Sequence, residues 1–170
     1  MPGILNDDMQ RVVREQSLGF VATVCPDGTP NLSPKGTLTV WDDTHLVFAD
    51  IRSPATMRNL RRNPAVEVNV VDPIARKGYR FKGVATIVED GQLRDDIREF
   101  YATRWLDTGR GKGELELRAF VVIAVKEALP LISPSYDDPA TTEGEVRDAW
   151  WEHYKKLKRR RRVPGDEVTR

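Results

Sequence analysis

The stretch GFVATVCPDGTPNLSPKGTLTVWDDTHLVFAD, residues 19–50, decides the fold. Gly19 to Cys25 is apolar and rich in β-formers. Pro26-Asp27-Gly28-Thr29 reads as a tight turn. Proline presets φ, aspartate bonds its own backbone, and glycine accepts positive φ. Asn31 to Trp41 is the returning strand, so the two form a hairpin. Asp42-Asp43-Thr44 turns the chain again, and His45 to Ala49 makes a third strand. Short turns between strands specify antiparallel pairing, because a parallel crossover needs a much longer connection.

Working outward, Leu5, Met9, Val12, Val13 and Gln16 recur at helical spacing and predict a helix over Ile4–Gln16. Downstream, Ser53-Pro54 opens a second helix, with Ser53 as its expected N-cap and Pro54 in its first turn. Asn63-Pro64 ends it, since the residue before proline avoids the α region. Val66 to Val71 is a fourth strand and Tyr79 to Val88 a fifth. Leu93, Ile97, Phe100 and Tyr101 mark a third helix. Ala119 to Val125 is the most apolar strand, and Pro130 to Pro139 is turn-rich. Arg147 to Arg162 predicts a last helix ending in arginines. The expected fold is mainly β: a six-stranded antiparallel split β-barrel with flanking helices. Rossmann-type βαβ alternation is not seen.

A chain of 170 residues, 39 % apolar and 31 % charged, suits one globular domain with a full core. No apolar run is long enough to span a bilayer, and the N-terminus lacks a secretion signal, so no membrane partner and a cytoplasmic setting are expected. Cys25 is the only cysteine, which excludes an intramolecular disulfide and a cysteine zinc cluster. The net charge of +1 hides an asymmetry. From Trp150 onward eight Lys/Arg face three Asp/Glu, a balance of +5 that leaves the body at −4. A polyanion would therefore meet the tail.

The order of segments resembles the pyridoxamine 5′-phosphate oxidase-like family of FMN-binding split barrels, from about Leu5 to Ser135. The resemblance rests on Pro30-Asn31-Leu32-Ser33-Pro34-Lys35-Gly36, on the Asn-Leu-x-x-Asn-Pro-like ending at Asn59 to Pro64, and on Arg80-Phe81-Lys82-Gly83. It implies a split-barrel domain over residues 1–135, a C-terminal extension over 136–170, and a homodimer with FMN in the groove between subunits. It also implies that Ser33, Pro34, Lys35 and Gly36 touch the flavin and that Phe48 and Ala49 lie beside the ribityl chain. The family's basic phosphate-binding pair belongs just after Ser53, where this chain has Pro54, Ala55 and Thr56. Phosphate binding would then fall to Ser53, Thr56 and the free N–H groups of the helix N-terminus, with Arg80 and Lys82 as cations.

The resemblance implies an FMN-dependent oxidoreductase acting on a small molecule. The Trp-Trp and polybasic C-terminus differs from the segment that completes the substrate pocket of true pyridoxamine-phosphate oxidases. A deazaflavin coenzyme, a non-enzymatic flavin carrier, and a nucleic-acid-binding barrel using the basic tail stand as alternatives, nucleic acid ranking last. Gly109-Arg110-Gly111-Lys112-Gly113 fails the phosphate-loop pattern, because glycine follows the lysine. Cys25 reads as a bystander thiol, and His45 and His153 show no partner in the sequence. No metal site is expected.

Overall fold

The computed structural model describes residues 3–108, 117 and 119–160. Seven strands form one antiparallel sheet among them: β1 (Gly19–Val24), β2 (Pro30–Lys35), β3 (Thr39–Val40), β4 (His45–Asp50), β5 (Ala65–Asp72), β6 (Lys77–Val88) and β7 (Ala119–Ile132). Their order is β2-β1-β5-β6-β7-β4-β3. The helices are α1 (Asp7–Gln16), α2 (Pro54–Arg62), α3 (Gly91–Thr108) and α4 (Glu143–Arg160).

The expected strand from Asn31 to Trp41 is in fact two strands, which raises the count from six to seven. β2 and β3 lie at opposite edges of the sheet, yet only Gly36, Thr37 and Leu38 join them. Three residues reach roughly 10–14 Å. The sheet therefore curls until its edges nearly meet, and this seam makes it a split barrel. Thr37 ties the seam to β4: its hydroxyl accepts from Ala49 N–H at 3.0 Å and donates to Ala49 C=O at 3.2 Å. Leu38 is buried against Gly19, where an added Cβ would sit 2.2 Å from Leu38 Cδ2. A side chain at Gly19 would push the end of Leu38 aside.

The β1–β2 turn forms as expected. Gly28 takes φ +84°, and Asp27 accepts from the N–H and hydroxyl of Thr29. β6 begins at Lys77, and β7 runs on to Ile132, into the stretch expected to turn. Most of β7 pairs with β6 throughout this length, so the sheet overrides the local signal of Pro130.

Alternation along β4 divides the core. Leu46 and Phe48 point into the barrel with Val21, Val68, Phe81, Val121 and Ile123. Val47 and Ala49 point the other way, under α3, with Val88, Ile97, Tyr101 and Phe120. A strand covered on both faces reads as a continuous apolar run, as Leu46 to Ala49 does. The Tyr101 ring stacks on Phe120, 5.6 Å between centroids, and its hydroxyl donates to Thr37 C=O at 2.7 Å.

α4 begins four residues before the expected Arg147. Its first turns dock on the β5–β6 connection: Arg147 meets Asp72 at 2.9 Å, Lys77 meets Glu143 at 3.1 Å, and Arg76 lies over the Trp150 ring at 4.2 Å. Trp151, Tyr154 and Leu157, further along, are exposed. The loop over Gly109–Gly113 and the arginines beyond Arg160 lie outside the described residues.

Candidate functional site

β2 carries side chains alternately to the two faces of the sheet. Ser33 and Lys35 stand opposite Val21 and Gly19 and share their inner face, whereas Pro34 stands opposite exposed Phe20 on the outer face. Lys35 is consequently buried, at 5 % exposure, and among the described residues its only hydrogen-bond partner is the Ser33 hydroxyl, 2.6 Å from its Nζ. The Nζ lies 5.5 Å from the centre of the Phe48 ring. Burial lowers the Lys35 pKa, against an opposing pull from the Asp50 carboxylate. No carboxylate of a described residue lies within ion-pair distance of it.

A buried ammonium costs free energy unless it is paired and hydrogen-bonded. Lysine offers three donors, and here one is used. The arrangement leaves a positive charge and spare donors at the inner end of β2, beside the seam at Gly36 and Thr37. Chemically it suits an anionic or carbonyl-rich ligand edge.

β4 delivers Phe48, Ala49 and Asp50 to the same end of the barrel. Phe48 lies inside, under Lys35. Ala49 is buried on the α3 side and meets the seam through its backbone bonds with Thr37. Asp50, which the sequence reading passed over, turns its Oδ1 to the start of α2. It accepts from Ser53 N–H at 3.1 Å and from the Ser53 hydroxyl at 2.7 Å.

That pair corrects the expected role of Ser53. Its side chain makes no cap bond to α2. Instead the hydroxyl is turned to Asp50, a charged acceptor. The N–H and hydroxyl of Ser53 are thus taken by an internal carboxylate. Thr56 is buried, and neither Pro54 nor Ala55 brings a cation. Lys35, Ser33 and the Phe48 ring fit the polar edge of a flavin ring. An Asp three residues before Ser-Pro was the available sequence signal, because Asp side chains readily accept from nearby backbone.

Arg80 and Lys82 lie elsewhere in the chain. β1 and β5 separate their strand from β2, and both project from the outer face, since Phe81 between them is fully buried. Arg80 Nε stands 3.1 Å from Glu67, and Lys82 Nζ 3.6 Å from Glu127. Lys82 also lines a cleft of about 380 Å³ with Ala22, Val24, Pro30 and Glu67. Within one chain these cations are not brought to Lys35.

A second cleft, about 230 Å³, lies where α1, β6 and α4 meet. Its charges pair among themselves: Asp8 with Arg11 and Tyr79, Asp72 with Arg147, and Lys77 with Glu143. Burial and the Asp8 carboxylate push the Tyr79 hydroxyl up to about 12. His45 also gains a partner unseen in the sequence: its Nδ1 lies 2.9 Å from Asp42 across the β3–β4 turn. His153 packs edge-on to Trp150. Among the described residues no group of His, Cys, Asp and Glu could hold a metal ion, and no helix is long and apolar enough to cross a membrane.

Comparison with known proteins agrees with this architecture. HupZ from Group A Streptococcus is 27 % identical with a TM-score of 0.65, over 76 % of this chain and 95 % of that one. An F420 reductase is 23 % identical with a TM-score of 0.58, over 74 % and 98 %. An FMN-binding protein from Syntrophomonas wolfei is 14 % identical with a TM-score of 0.59, over 74 % and 84 %. The last two likenesses show the fold alone. No curated protein sequence matches the chain. The model of the family described as pyridoxamine 5′-phosphate oxidase matches residues 5–131, which covers all of α1 and the sheet but its last residue. With that match laid over the split barrel, the chain belongs to the pyridoxamine 5′-phosphate oxidase family.

Proposed function

We propose that this chain binds a flavin at the inner end of β2, in a groove shared by two copies, and serves as a flavin-dependent oxidoreductase on a small molecule. The observation that carries the reading is Lys35: a buried cation whose only hydrogen-bond partner among the described residues is a hydroxyl. A fold that needed only stability would gain by replacing it with an apolar side chain. A ligand bearing negative charge would repay its burial.

A bound flavin supplies the hydride chemistry, and the protein supplies position and electrostatics. Lys35 would stabilise negative charge on the pyrimidine edge of the ring. Ser33 orients the ammonium, and Phe48 closes the floor beneath it. The residues proposed to meet the cofactor remain Ser33, Pro34, Lys35, Gly36, Phe48, Ala49, Ser53 and Thr56. Arg80 and Lys82 would reach it only from the second copy, because their strand faces away from Lys35. A shared groove also buries a flat ring better than one small barrel does.

Titration of the purified chain with FMN, and in parallel with a deazaflavin coenzyme, tests the reading through flavin absorbance and fluorescence. Saturable binding that weakens in Lys35→Ala supports it. Binding unchanged in both Lys35→Ala and Arg80→Ala removes the site assignment. A deazaflavin that binds where FMN does not transfers the reading to that cofactor.

A further inference from the structure

We infer that the outer half of α4 is a docking helix for the phosphate backbone of a nucleic-acid duplex, a role separate from the flavin site.

α4 is fixed firmly at its start. Thr142 and Glu145 form a capping box: the Glu145 carboxylate accepts from Thr142 N–H at 2.8 Å, and the Thr142 hydroxyl accepts from Glu145 N–H at 3.3 Å. Val146 is buried, Arg147 meets Asp72, and Arg76 lies over the Trp150 ring. From Trp151 to Lys158 every residue is exposed. This stretch, about 12 Å of helix, stands clear of the barrel.

The positive charge collects in that same half. Residues 155–162 read KKLKRRRR, seven Lys/Arg in eight positions, whereas the chain before Trp150 is net acidic. Lys155 has an acidic partner, Glu152 at 2.6 Å, but Lys156 and Lys158 have none among the described residues. Successive residues stand about 100° apart around a helix, so the positions of Lys155, Lys156, Lys158, Arg159 and Arg160 spread around more than half of it. A helix that lies on lipid keeps its cations on one side and a broad apolar face on the other. Here Tyr154 and Leu157 leave only a narrow apolar sector, and Trp151 sits among the lysines, with Lys155 Nζ 5.9 Å from its ring centre.

The major groove of a duplex is about 12 Å wide and admits one α-helix between two walls of phosphate. A helix that stands off its domain with cations on both flanks fits that shape. The C-terminal end of a helix carries partial negative charge, so α4 would lie along the groove rather than enter end-on. The acidic body would be repelled by the duplex, which confines the contact to this helix. Phosphate contacts carry no sequence information, so binding should be indifferent to base sequence.

The test is titration of a short, dye-labelled DNA duplex with the full chain, read by fluorescence anisotropy at about 50 and about 200 mM salt. Roughly four phosphate contacts should lower affinity about hundredfold across that range. Lys155→Gln/Lys156→Gln/Lys158→Gln keeps good helix formers at exposed positions. It should weaken binding at the lower salt by more than about tenfold while helical circular dichroism is retained. No binding at the lower salt, binding insensitive to salt, or binding unchanged in the triple variant overturns the inference. So does tighter binding to vesicles of anionic phospholipid than to the duplex, which would make lipid the occupant. Should the triple variant fail to fold, the salt dependence of the wild type still decides. Flavin binding plays no part in the measurement, so the two readings stand or fall separately.

Discussion

On the outer face of β6, Arg80 and Lys82 stand half in water, each with a glutamate at its side. At the inner end of β2, Lys35 is out of water and has a serine hydroxyl. The outer pairs cost little and contribute little, because solvent already screens them. The inner cation costs stability where it sits. Under the proposed function, the poorly paired charge inside the barrel is kept for the ligand, and the surface pairs are not.

The largest expected effect separates those two costs. Lys35→Met should lower flavin affinity by roughly ten- to hundredfold, the size of a lost charged hydrogen bond. Its denaturant midpoint should hold or rise, because the buried ammonium is gone. A fall in stability alongside unchanged flavin affinity would make Lys35 a structural residue and end the contrast. Tyr101→Phe comes next. It removes the bonds to Thr37 and Val47 carbonyls and should cost about 1–2 kcal/mol in urea unfolding. It should also loosen the seam beside Lys35 and weaken flavin binding secondarily. Arg80→Ala should cost at most about 0.5 kcal/mol of stability. Its effect on flavin affinity should be smaller than that of Lys35→Ala; equal losses would show that the outer cation is as much a ligand group as the inner one.

The smallest effects are in pH. Burial lowers the Lys35 pKa, so charge-dependent flavin binding should fade at a lower pH than an ordinary lysine would dictate. Asp72 behaves in the opposite sense. Burial pushes its pKa up, but the N–H groups of Ala75 and Ile74 and the Arg147 guanidinium outweigh it and hold it below the usual carboxylate range. A carboxyl depressed in the folded state contributes stability above its unfolded pKa and loses it as pH falls through the folded one. Trp150 fluorescence, which reports α4 docking, should therefore change only below about pH 4. A change nearer neutrality would place the control of α4 elsewhere.

Much of the barrel was legible because its strands alternate and its turns use Pro, Asp and Gly where those residues have mechanical reasons to be. The break at Gly36 was not. A jump from one edge of a sheet to the other leaves no local mark, and Thr39-Val40 looks like more of the same strand. The inward turn of Lys35 was half legible: alternation puts it on the face of Ser33, but nothing local says that this face is the buried one. Ser53 misled for a physical reason. Ser-Pro at a helix start is ordinarily a cap, and only the position of Asp50 in space redirects the hydroxyl. Alternation puts Arg80 and Lys82 on one face of their strand, but which face that is depends on Phe81 filling the barrel.

The seam also bears on how the molecule behaves in a crowd. A split barrel keeps two sheet edges, and bare edges recruit strands from neighbouring chains into aggregates. Here one edge, β3, is only two residues long, and the other, β2, carries Pro30 and Pro34, which lack the N–H needed to extend a ladder. Replacing both prolines with threonine should leave the monomer's unfolding nearly unchanged while making solutions turbid on standing, so that protection from aggregation and stability of the barrel would prove to be separate properties of the same strand.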